Sequence, residues 1–151
     1  MTDPEVLVER LIKARPEIVY AFFTDPAKWL AWQGVDATIE PVAGGVFRMN
    51  VRGDGYASGR FVELLPPRRV VFTWGWEVTE LGVPPGSSTV AVDLIADDAA
   101  GTTLVRLRHY SLPADAVDIH RQGWEHYVGR LQVVAEGGDP GPDPVRTALP
   151  E

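Results

Sequence analysis

The stretch Val70 to Glu77, VVFTWGWE, decides how the chain is read. In an extended strand, successive side chains point to opposite faces, which puts Phe72, Trp74 and Trp76 on one side and Thr73 and Gly75 on the other. Rings of this kind bury roughly 150–250 Å² each. Such a wall cannot stay in water, so another element must cover it.

The cover is written at Asp115 to Gly138, DAVDIHRQGWEHYVGRLQVVAEGG. His120, Trp124, Tyr127, Leu131 and Val134 recur at spacings of four and three, a continuous stripe on one side of a helix. At 3.6 residues per turn this predicts about six turns, stopped by Gly137-Gly138. The Trp124 side of that helix is expected to lie across the Trp74 and Trp76 wall. Burial at about 25 cal/mol per Å² makes this docking a main source of stability.

Strand signals surround the opening stretch. VLVERLI (Val6 to Ile12) predicts a first strand, and Pro16 starts a short helix carrying Ile18, Val19, Phe22 and Phe23. Asp25-Pro26 ends it, and Pro26 opens a second helix with Trp29, Leu30 and Trp32. Two-residue alternation then runs through VDATIEPV, VFRMNV, YASGRFVELL, VVFTWGWE, TVAVDLI and TTLVRLRHY, separated by Gly- and Pro-rich turns. Thr79 to Ser88 predicts a long exposed loop. The sum is an α+β chain: one N-terminal strand, two short helices, a six-strand antiparallel meander and a long C-terminal helix.

A chain of 151 residues with 45% hydrophobic and 23% charged residues fits one domain with a real core. Residues 1–137 are expected to form it, and 138–151, GDPGPDPVRTALPE, to make a Pro-rich, acidic, disordered tail. A formal charge of −7 repels phosphate backbones and anionic membranes, so no nucleic acid partner is expected. Arg68, Arg69, Arg106 and Arg108 read as a turn and the solvent face of a strand. The absence of cysteine removes disulfide and thiolate-zinc chemistry and suits a reducing compartment. The N-terminus lacks the basic start and apolar run of a secretion signal, and no segment approaches a membrane span, so a cytoplasmic protein without membrane insertion is expected.

Taken in order, PEIVYAFFTDPAKWLAW, GGVFRM, GRFVELLPPRRVVFTWGW, GTTLVRLRHYSLP and HRQGWEHYVGRLQVV resemble the START-like, or Bet v 1-like (SRPBCC), superfamily. Within it they resemble the branch of homologues of the activator of Hsp90 ATPase, over about residues 5–137. The resemblance implies a helix-grip fold, in which a curved antiparallel sheet grips the C-terminal helix. Its members include carriers of apolar ligands, polyketide cyclases and aromatases, and proteins that stimulate Hsp90. It therefore implies three alternatives: a small-ligand binder, a co-chaperone or stress-response partner module, and a cyclase-like enzyme.

Local motifs add little chemistry. In GYASG, Ser58 directly precedes Gly59 within a strand, which is not a nucleophile elbow, and GDGYASG misses the dinucleotide spacing. His120 and His126 lie six apart and face different ways, so they cannot chelate together. No carboxylate completes a metal site, and no metal or cofactor is expected. His109 is placed to face His120, where the pair could bind or protonate a polar group. Glu63, Glu77 and Asp93 are candidate general bases if they turn inward, but no catalytic residue is assigned.

The expected ligand-binding set from the sheet and short helices is Trp32, Phe47, Met49, Phe61, Phe72, Trp74, Trp76 and His109. From the C-terminal helix come His120, Trp124, Tyr127 and Leu131. These residues either interlock as a solid core or leave space for a small hydrophobic molecule. Gly123, which costs the helix roughly 1 kcal/mol relative to alanine, marks a place where a backbone or ligand comes close. A homodimer and a protein partner stay open as alternatives.

Overall fold

The computed structural model describes residues 5–78 and 82–144. Residues 1–4, 79–81 and 145–151 lie outside the described residues, and with them part of the expected long loop and half of the expected tail. Seven strands form one antiparallel sheet: β1 (Glu5–Ile12), β2 (Asp36–Ile39), β3 (Val46–Asn50), β4 (Tyr56–Leu65), β5 (Arg69–Trp74), β6 (Ser88–Asp97) and β7 (Thr102–Tyr110). The spatial order is β1-β7-β6-β5-β4-β3-β2. The meander thus runs in sequence from β2 to β7, and β1 closes beside β7 with Val6 opposite His109 and Ile12 opposite Thr103.

Two short helices fill the gap between β1 and β2. Pro16 starts α1 (Pro16–Ala21), where its missing N–H costs nothing. Asp25 caps α2 (Pro26–Trp29), its carboxylate accepting from the backbone N–H of Ala27 and Lys28. Their buried rings make an aromatic knot. Trp29 stacks on Trp32 at 5.6 Å, Phe23 meets both edge-on, and Trp29 also touches Phe47 and Phe72 of the sheet.

The sheet sorts its faces by alternation. Val6, Val8, Ile12, Val70, Phe72, Trp74, Val90, Val92, Leu94, Val105, Leu107 and His109 point inward and are buried. On the other face, Glu9, Arg106, Asp93 and Arg69 stand opposite one another on successive strands. Arg106 pairs with Glu9 at 2.7 Å, and Arg69 bridges Asp93 at 2.7 Å and Glu63 at 2.8 Å. Glu63 and Asp93 are therefore outward ladder residues rather than inward bases. Glu77 is held in the same way by Arg48, whose hydrogen bond keeps its carboxyl below the usual carboxylate range.

An irregularity in the sheet is flanked by two closely packed glycines. The β4–β5 register shifts between Phe61 and Glu63, a bulge of the kind that bends and twists a strand. Around it the Ser58 N–H reaches the Gly75 carbonyl and the Arg60 N–H reaches the Thr73 hydroxyl. A Cβ on Gly59 would fall onto the Thr73 carbonyl, and one on Gly75 onto the Pro84 carbonyl.

The last helix, α3 (Val117–Ala135), is preceded by a 3-10 turn at Ala114–Ala116. Val117, His120, Trp124, Tyr127, Val128, Leu131 and Ala135 are its buried stripe. Gly137, at φ +91°, ends it with N–H bonds from Gly137 to Val134 and from Gly138 to Val133. The second half of α3 runs beside β1, where Arg10 donates to Gln132 at 2.6 Å. Part of the segment that composition assigns to a disordered tail packs here. Arg130 donates to the carbonyls of Pro140 and Gly141, while Asp143 accepts from the Tyr127 hydroxyl at 2.7 Å.

The close approaches at Gly59 and Gly75 give the first prediction. Gly59→Ala and Gly75→Ala should each lower unfolding free energy by about 1–3 kcal/mol or more, the cost of overpacking a filled space. Urea denaturation measures it, and native-like midpoints would show that the sheet can relax there.

Candidate functional site

The site lies where the first half of α3 crosses the end of β5. Trp74 closes the strand, and Trp76 follows with a single bridge to Ala57. Trp74 meets Trp76 edge-on at 5.4 Å and Trp124 at 5.2 Å, so the sheet's aromatic wall lies under the helix.

Two histidines tie these rings together. Trp124 Nε1–H donates to His109 Nδ1 at 3.0 Å, so His109 carries its proton on Nε2. That nitrogen lies 2.7 Å from Ser88 Oγ, and the Ser88 hydroxyl donates to the Trp74 carbonyl at 2.8 Å. His120 has the opposite tautomer: Nδ1–H donates to the Ala116 carbonyl at 2.8 Å, and Nε2 accepts from Trp76 Nε1–H at 3.0 Å. The two rings meet edge-on at 5.1 Å, the facing pair that the sequence suggested.

Each imidazole is therefore neutral, and its lone pair is occupied by an indole. Burial pushes His109 down to about 3, with neighbouring His120 adding to the effect. Burial also lowers His120, against the opposing pull of the Ala116 carbonyl. The Ser88–His109 contact looks like a nucleophile and its base but runs the wrong way. His109 Nε2–H donates a hydrogen bond to the Ser88 hydroxyl, and its other nitrogen is already taken by Trp124, so it has no free nitrogen to accept the serine proton.

Beside this network a cleft of about 240 Å³ opens between α3 and the sheet. Trp74, Trp76, Trp124, Tyr127 and His120 line it, with Ile119, Gln122, Gly123 and His126 from the same helix. Gln33 after α2, together with Val51 and Arg52 between β3 and β4, completes the wall. A Cβ built on Gly123 meets nothing within 4 Å, so no backbone crowds that glycine and the free space beside it belongs to the cleft. At one side His126 Nε2 lies 2.7 Å from the Asp143 carboxylate. Burial and that same carboxylate raise the Tyr127 hydroxyl above its ordinary value.

The expected ligand-binding residues divide by position. Trp74, Trp76, His120, Trp124 and Tyr127 line the cleft. Trp32, Phe47, Met49, Phe61, Phe72 and Leu131 belong to the packed core, and His109 sits behind Trp124 as its acceptor. Gln33, Val51, Arg52, Ile119, Gln122 and His126 were not foreseen. Most lie in turns or on the polar flank of the helix, where periodicity gives no signal. Among the described residues no group of three or more His, Asp or Glu could hold a metal ion. None of the helices there is long and apolar enough to cross a membrane.

Comparison with known proteins places this geometry among relatives. Residues 13–136 match the family model "Activator of Hsp90 ATPase homolog 1-like protein". The human Activator of 90 kDa heat shock protein ATPase homolog 1 is 28% identical over 123 residues, covering 82% of this chain and 34% of the human protein. An AHSA1-like protein from Rhizobium etli, solved in solution, is 42% identical over 99% of this chain and 95% of its own, at a TM-score of 0.70. The crystal structure of DynU16, from the dynemicin biosynthetic locus, is 25% identical at a TM-score of 0.77, covering 92% of this chain and 49% of its own. The chain thus spans about a third of the human relative and about half of DynU16.

The histidine tautomers predict a pH response. An imidazole whose folded pKa lies below 6.5 leaves the unfolded chain binding more protons, so its contribution is complete above that value and is lost as pH falls below it, for His109 towards about 3. Each imidazole should add a slope of up to about 1.4 kcal/mol per pH unit below 6.5. Urea unfolding from pH 7 to 4 measures it, with imidazole nitrogen NMR to report the tautomers. A His109 that titrates near 6.5 in the folded protein would contradict the assignment.

Proposed function

Because the chain belongs to the family of activator of Hsp90 ATPase homolog 1-like proteins, we propose that it is a cytoplasmic binding protein whose cleft takes one small, apolar, aromatic molecule. The observation that carries this reading is an aromatic-walled space of about 240 Å³ at the exposed end of a packed core. An engineered apolar cavity of about 150 Å³ holds benzene, so this cleft has room for about one or two fused rings. Trp74, Trp76 and Trp124 offer faces and edges on which such rings pack. Binding is favoured over acid–base chemistry because both imidazole lone pairs at the inner wall are occupied. The biosynthetic locus of DynU16 also supports a small-molecule role.

A protein partner is the second reading. It is carried by an apolar row on the outer face, where Leu11 and Ile95 flank Leu104 in register and are 56% and 43% exposed. The name of the human relative points to a 90 kDa heat shock ATPase as that partner. ATP turnover by such a protein that rises on adding this chain, and falls back with Ile95→Arg, would favour this reading.

For the leading reading the test is naphthalene binding, followed by tryptophan fluorescence. Gly123→Ala should leave uptake in place and stabilise the fold by about 1 kcal/mol, because the helix gains a better former and the space is open. Gly123→Leu should fill the cleft and weaken naphthalene by at least about tenfold, the cost of losing roughly 1.4 kcal/mol of contact. Unchanged affinity in Gly123→Leu, with the fold intact, would contradict the cleft as the site.

A further inference from the structure

The wall of the cleft differs from the rest of the molecule in charge. The chain carries 21 Asp and Glu against 14 Lys and Arg, yet among the described residues no carboxylate side chain lines the cleft. Arg52, in the connection between β3 and β4, is the one Lys or Arg there. Its charge reaches the α3 side of the space. Burial and the Asp143 carboxylate raise the Tyr127 hydroxyl, and the Arg52 and Arg130 charges oppose that rise.

The neighbouring charges leave Arg52 available. Arg130 spends its guanidinium on the carbonyls of Trp32, Pro140 and Gly141. Asp143 is engaged by His126 and by the Tyr127 hydroxyl. Asp54 meets Arg52 through Nη2, at 3.2 Å, with the two side chains 47% and 44% exposed. An ion pair in that setting holds only weakly. A guanidinium presents five donors in a flat fork, so Nε and Nη1 of Arg52 remain for another acceptor at the mouth.

Resting on the reading of the cleft as a ligand site, we propose that its ligand is an aromatic carboxylic acid, with the ring against the tryptophan wall and the carboxylate at the mouth on Arg52. The placement selects that group over others. A cationic ligand would meet Arg52 with no carboxylate in the wall to receive it. A neutral one would leave the free guanidinium donors to water. A carboxylate matches the fork with two parallel bonds and a single opposite charge. At an exposed mouth it keeps contact with water, so no charge is buried. The formal charge of −7 disfavours anions at a distance, so the preference comes from the Arg52 contact itself.

The test compares 2-naphthoate with 2-naphthamide, nearly the same in shape but charged and neutral respectively at neutral pH, alongside naphthalene. In the unmodified protein naphthoate should bind about three- to tenfold more tightly than naphthamide, the worth of one charge-assisted contact at a partly exposed site. Arg52→Gln should remove that preference, and Arg52→Lys should keep part of it. The ratio of the two probes is read within each variant, so a general change in the cleft affects both alike. Naphthoate should also move the Arg52 Nε–H resonance of the unmodified protein, which carries the test independently of any variant. Equal affinities for naphthoate and naphthamide, or a preference that survives Arg52→Gln, would overturn the acid assignment, while naphthalene binding would keep the cleft reading. Failure of all three probes to bind would overturn both.

Discussion

The structure depends on two indole–imidazole hydrogen bonds, Trp124 to His109 and Trp76 to His120. Apolar burial drives the terminal helix onto the sheet, but burial has no direction and would accept many settings. The two bonds do have direction. His109 is fixed in β7, its other nitrogen engaged with Ser88 of β6, so the Trp124 ring can sit at one height over the sheet. His120 repeats the arrangement from the helix side, anchored to its own backbone at Ala116. With the first half of α3 set in this way, Gly123 between the anchors leaves a space that a larger residue would fill.

That arrangement also limits chemistry. Both histidines are neutral because protonation would turn an accepting nitrogen into a donor facing an indole N–H, in a buried setting that already disfavours charge. Glu63 and Asp93, candidate bases only if they turned inward, stand on the outer face in an arginine ladder. A polar network that is complete and turned inward holds the architecture rigid. It leaves the adjoining aromatic wall to make contacts.

Much of the fold was legible in the sequence because its two periodicities are clean. Alternation in VVFTWGWE and TTLVRLRHY gives the inner face, and the His120–Trp124–Tyr127–Leu131 stripe gives the helix side that meets it. The facing of Glu63 was not legible, since the register shift beside Phe61 breaks the two-residue count at that point. Periodicity likewise reports which side a residue faces and not how far along the groove it sits. Phe47, Phe61 and Phe72 therefore read like Trp74, although they lie in the packed end. Arg52, Val51 and Gln33 reach the cleft from connections, where no repeat exists to follow. The glycine at 123 was the one visible sign of open space, and the structure puts the cleft beside it.

Placing a small aromatic molecule beneath the helix commits the protein to a position that can be observed directly. Intermolecular nuclear Overhauser effects from bound naphthalene to the labelled protein measure it most plainly. Contacts to the Gly123 α-protons and to the Trp74 and Trp124 ring protons are the expected pattern. Contacts confined to Leu11, Leu104 and Ile95 on the opposite face would contradict it.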